Sequence, residues 1–149
     1  MRPRTVTQRF RPLLRVNEWA ALEVERDIVV RRQALREIEA RLASVEQELG
    51  GWHQRMQASL GETAAFARGG YAFAAEQVAG WMQAARELAR RRAQEQACLQ
   101  ELGTRLADLK RKRSVIERRR DDAVRQHEAR LVSRLAGEHD DLWLHRRAG

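Results

Sequence analysis

The sequence predicts an all-α protein, a long two-helix antiparallel coiled-coil hairpin whose second helix is the longer and overhangs the first. Three observations predict it. Apolar residues recur in alternating steps of three and four over two separate runs, the spacing of a coiled-coil seam. Proline occurs only at Pro3 and Pro12, so 137 residues from Leu13 onward lack that helix breaker. A glycine-bearing stretch, GETAAFARGGY at 61–71, divides the two runs. Composition agrees. Charged residues make up 34% and aromatics 5%, with Ala, Leu, Arg, Glu and Gln dominant, which is the coiled-coil balance rather than that of a compact globule. At 149 residues the chain has the length of a single domain.

The first helix is expected over about 13–60. Its seam reads Leu35, Ile38, Leu42, Val45, Leu49, Trp52, Met56 without a miss, and extends backward through Ile28, Val24, Ala21 and Leu14. Asn17 and Arg31 interrupt it as polar members. Gly50 and Gly51 fall inside the run, each costing about 1 kcal/mol relative to Ala, so a soft spot or kink is expected there. The turn is placed at about 61–70 on Gly61 and the Gly69-Gly70 pair. The second helix follows over about 71–145. Its seam reads Val78, Trp81, Ala85, Leu88, Leu99, Leu102, Leu106, Leu109 and Ile116, interrupted by Arg92, Glu95 and Arg113. After Ile116 an extra four-residue step moves the pattern onto Val124, Leu131, Leu135 and Leu142, a stutter that locally unwinds the supercoil. Helices of these lengths run roughly 70 and 110 Å, which leaves about 25 residues of the second without a partner. A parallel dimer of straight helices is the competing architecture.

Net charge is +8, and 27 of the 29 basic residues are arginine. Such a balance speaks for an acidic partner surface and not for a fold. It is unevenly spread. Residues 1–17 hold five Arg and no acid, and 110–149 hold twelve basic and seven acidic side chains, so these two segments together carry +10 and residues 18–109 carry −2. A hairpin brings the two segments to one end. The densest stretch, KRKRSVIERRR at 110–120, then falls opposite 16–27, where Glu18, Glu23, Glu25 and Asp27 can take up part of its charge. The aromatics do the reverse. Phe66, Tyr71, Phe73 and Trp81 lie near the turn, with Trp52 on the opposing helix, either as a plug closing the loop or as an anchor for a partner.

The sequence supports no enzyme and no catalytic residue, and no cofactor is expected. The glycine pairs lack the Lys-Ser/Thr of a phosphate loop. Cys98 has no His on its helical turn and cannot form an internal disulfide, which favours a reducing cytosol. Asp141 and His145 stand at i, i+4, but two ligands on an exposed helix make no metal site. The basic N-terminus lacks a 7–15-residue apolar run, so no signal peptide is expected, and no run approaches the roughly 20 apolar residues of a transmembrane segment. Nucleic acid is disfavoured as a partner. The leucines precede the basic run, the reverse of a basic zipper, and no aromatic interleaves it.

The lead RFRPLLRVNEWAALEVER (9–26), the heptad helix, the glycine-bearing turn and the longer helix ending ERRRDDAVRQHEARLVSRLAGEHDDLW (117–143) together resemble the FliJ family of the bacterial flagellar type III export apparatus. The layout is also similar to the stalk proteins of virulence type III secretion systems. Asp140-Asp141 stand where an acidic pair is usual in that family. The tryptophans and the extreme arginine content depart from it. The resemblance implies a non-enzymatic, stalk-like adaptor. Its partners would be a hexameric secretion ATPase, whose pore receives the end bearing the termini, and the cytoplasmic ring of the export gate. Escort of export chaperones is a further implied role. The location would be cytoplasmic, peripheral to the inner membrane. On that reading Arg111, Arg113, Arg118, Arg119, Leu142 and Trp143 face the ATPase, and Phe66, Tyr71 and Phe73 face the gate. A basic nucleic-acid-binding coiled coil and a plain homodimeric scaffold are the alternatives.

Overall fold

The computed structural model describes residues 3–59 and 64–148, with side chains for 5–58 and 69–148. The chain is an all-α helical hairpin whose second helix is the longer. Helix α1 spans Pro3–Gln8, α2 spans Arg11–Ser59 and α3 spans Ala64–Ala148. Arg9 and Phe10 join α1 to α2 through hydrogen bonds from Phe10 N–H to the Thr7 carbonyl (3.2 Å) and from Leu14 N–H to the Phe10 carbonyl (2.9 Å). Pro12 sits in the first turn of α2. A missing N–H is harmless there, because the first-turn donors have no helical acceptor anyway.

The helices form two compact units. One joins residues 1–25 to 104–149, and the other comprises 26–103. In the second unit α2 and α3 run antiparallel. Trp52 meets Phe73, and 21 residues earlier in α2 Arg31 meets Glu95, which is 22 residues later in α3. Its most covered apolar side chains are Ile28, Leu42, Val45 and Ala74. In the first unit Val6 and Val24 are buried, and Asn17 reaches across from α2 to α3.

The 3/4 spacing is the burial pattern. Leu35, Ile38, Leu49, Trp52 and Met56 on α2 are half-buried, as are Val78, Trp81, Ala85, Leu88, Leu99, Leu102, Leu106, Leu109 and Ile116 on α3. A two-helix pair has one seam and no second layer, so most seam residues are covered on one side only and contribute less than the roughly 1.5–3 kcal/mol of a fully buried aliphatic side chain.

Four of the five polar interruptions of the seam, Asn17, Arg31, Glu95 and Arg113, find partners across it. Asn17, only 7% exposed, donates from Nδ2 to the Leu109 carbonyl at 3.0 Å. Arg31 Nη1 lies 3.0 Å from Glu95 Oε1. Arg113 Nη2 lies 3.2 Å from Glu18 Oε1.

Helix boundaries differ from the sequence-based expectation. α3 begins at Ala64, not near 71, so Gly69 and Gly70 are helical, and the stretch between α2 and α3 is residues 60–63, outside the described residues. Gly50 and Gly51 are likewise inside α2, and no described glycine takes a positive φ. At 69–70 the two adjacent glycines cost only about 2 kcal/mol in a helix, against which stand the alanines that flank them and the packing of Ala74 and Trp81. The α1 helix was not anticipated.

Candidate partner-binding surfaces

The first unit holds most of the charge. Residues 1–25 and 104–149 contain 18 basic and 11 acidic side chains, a net +7, against 11 and 10 in residues 26–103, a net +1. The asymmetry expected from a hairpin thus maps onto one unit.

Within KRKRSVIERRR the arginines divide by what they touch. Arg113 is a structural residue. It bridges to Glu18 across the seam and donates from Nε to Glu117 Oε1 at 2.9 Å. The bond to Glu117 first, and the charge of Glu18 next, hold its guanidinium above the ordinary arginine value. Arg111 donates from Nη1 to Asp108 on its own helix at 3.2 Å. Arg118 and Arg119 are exposed and have no ion pair among the described residues. Of the four acids expected opposite this segment, Glu18 alone forms an ion pair with it among the described residues. Its other arginines pair within α3 or project to solvent, as an i, i+3 spacing allows.

Beyond this segment α3 loses its cover. Val124 and His127 are half-buried, and every residue from 128 to 148 is exposed. Leu142 and Trp143 stand on this stretch, with Leu142 65% exposed. The Arg147 guanidinium lies 4.5 Å from the Trp143 ring centroid, a contact within one helix. Asp141 and His145 lie there too, and the described residues contain no cluster of three metal-ligating side chains.

A second apolar face of this unit escaped sequence reasoning. Leu13, Val16 and Trp19 on α2 point away from the seam, with Val16 70% and Trp19 68% exposed. The step of three between successive members was a readable signal, masked by the stronger seam at Leu14, Asn17 and Ala21.

The residues near the turn belong to the other unit. Trp52 and Phe73 meet edge to face with centroids 5.9 Å apart, and the Arg55 guanidinium lies 4.6 Å from the Trp52 ring. Phe73 is nonetheless 57% exposed, and Tyr71 is exposed beside it. These two aromatics therefore close the pair only partly and leave apolar surface outside. The side chain of Phe66 lies outside the described residues. The sequence-selected surfaces thus fall in different units, with Arg111, Arg113, Arg118, Arg119, Leu142 and Trp143 in one and Tyr71 and Phe73 in the other.

Cys98 is half-buried in a shallow groove of the second unit, beside Val30, Arg31, Glu101 and Leu102. No described helix is long and apolar enough to cross a membrane. No family model, curated protein or solved structure matches the chain.

Proposed function

We propose that the protein is a non-enzymatic, stalk-like adaptor of a bacterial flagellar type III export apparatus. On this reading its basic unit binds the hexameric secretion ATPase, and its Tyr71–Phe73 surface, with Phe66, binds the cytoplasmic ring of the export gate. Export chaperones are further cargo of the same surfaces, and the site of action is the cytoplasmic side of the inner membrane. The observation that carries the proposal is the concentration of charge. A unit of net +7 presents exposed Arg118 and Arg119, without an ion pair among the described residues, next to an exposed helical extension bearing Leu142 and Trp143. An acidic, water-excluding cavity such as a ring lumen would recognise both features, because long-range attraction guides the approach and apolar contact holds the complex. Arg113 is kept out of the binding role, because Glu18 and Glu117 already occupy it.

The test is ATPase activity of the secretion ATPase from the same organism, measured with and without the full-length chain. Wild type is expected to raise the rate. The triple variant Arg111→Glu, Arg118→Glu, Arg119→Glu is expected to lose most of that effect while keeping its helical circular dichroism. Undiminished stimulation by the triple variant removes the basic unit from the ATPase interface. Duplex binding that persists near ~150 mM salt would move the assignment to nucleic acid, since phosphate-driven affinity falls steeply with ionic strength.

A further inference from the structure

Residues 128–148 of α3 are exposed throughout, yet their sequence is not that of a solvated helix. Glu128, Val132, Leu135, His139, Leu142 and Arg146 follow one another in steps of four, three, four, three and four, so at roughly 100° per residue they share one face. Leu131, Ala136 and Trp143 flank that face. Among the described residues this is a seam with no second helix on it. Its two charges sit at opposite ends and have opposite sign, and neither Glu128 nor Arg146 has an ion-pair partner among the described residues.

We propose that this face is a homodimer seam, on which a second copy of the chain packs antiparallel about a twofold axis near Gly137. In that arrangement Glu128 meets Arg146 of the second copy, Val132 meets its Leu142, and Leu135 meets its His139. Symmetry makes each pairing occur twice. The order of charges selects the direction. A parallel, in-register pair sets Glu128 against Glu128 and Arg146 against Arg146, whereas the antiparallel pair matches both. The helix already exists in the single chain, so pairing carries no nucleation cost. Glu138 flanks the axis beside its own copy, which keeps the association reversible. The inference goes beyond the adaptor reading. A dimer built this way covers Leu142, so the self-paired and ring-bound states exclude each other.

Sedimentation equilibrium of the full-length chain tests this over roughly 1 to 500 µM, a range that resolves dissociation constants around the micromolar. Wild type is expected to show a monomer–dimer equilibrium, and Leu135→Asp to be monomeric at every concentration. Glu128→Arg and Arg146→Glu are each expected to weaken the dimer by roughly tenfold, because each turns two attractive pairs into two repulsive ones, and the double variant is expected to restore it. All three positions are solvent-exposed, and unchanged circular dichroism confirms that folding is intact. Wild type that stays monomeric overturns the proposal. So does a dimer indifferent to Leu135→Asp, which would place the contact on the Leu13–Val16–Trp19 face. A double variant as weak as the single ones overturns the antiparallel direction.

Discussion

Replacing Asn17 by leucine should stabilise the protein. Asn17 occupies a seam position, is 7% exposed, and donates one hydrogen bond of 3.0 Å to the Leu109 carbonyl. Leu109 lies inside α3, where its carbonyl already accepts the helical bond from four residues on, so the substitution leaves no bare acceptor. The loss is one neutral hydrogen bond, about 1 kcal/mol. The gain is an aliphatic side chain largely buried between Leu14, Ala21 and α3, about 2 kcal/mol. The net is about 1 kcal/mol, or a rise of about 3 °C in Tm for a chain of this size. Urea and thermal melts followed by circular dichroism at 222 nm measure it. The same variant should admit more misregistered or associated species at high concentration, because a buried amide that must find one carbonyl specifies alignment at a cost in stability. A variant less stable than wild type by about 1 kcal/mol or more would refute this account, and would mean that the amide holds the helices together and does not merely align them.

Two further outcomes follow from the same geometry. Arg31→Ala should cost more than Glu95→Ala, because the Glu95 carboxylate is only 17% exposed and its Oε2 already lacks a partner; a double-mutant cycle should give a coupling of about 0.5–1 kcal/mol that shrinks with added salt, and Glu95→Gln should relieve the Arg31→Ala defect. Gly51→Ala and Gly69→Ala should each raise stability by about 0.5–1 kcal/mol, since both glycines are helical and an added Cβ meets nothing within 4 Å; a lower urea midpoint for either would place strain where the helix shows none.

The seam was legible because burial in a two-helix pair depends almost entirely on the 3/4 spacing. Leu42 and Val45 could be identified as core from that spacing alone, and even Asn17 could be placed in the seam before its partner was known. The start of α3 was not legible. Glycine pairs at 50–51 and 69–70 look alike in sequence and both are helical; the second reads as a turn because breaker content is visible in sequence while the packing that keeps such a pair helical is not. The uncovered state of 128–148 follows from the unequal helix lengths and was anticipated as an overhang. The roles of individual arginines were not. Arg113 and Arg118 are indistinguishable in composition; Glu18 on the facing helix, together with Glu117 four residues on, makes the first a structural residue, whereas the second has no ion pair among the described residues. Trp19 and Val16 were hidden because a helix can carry two apolar faces, and the stronger one claims the pattern.

The pairings of Arg31 with Glu95 and of Trp52 with Phe73 bear on how such a gene can change in length. Inserting a heptad between Arg31 and Trp52 without a compensating heptad between Phe73 and Glu95 would tear one pairing from the other. Indels within this unit are therefore tolerated only as matched events on both strands of the hairpin. Residues 128–148 carry no such bookkeeping, since every one of them is exposed and none has a cross-helix partner among the described residues, and it is there that relatives of unequal length are expected to differ.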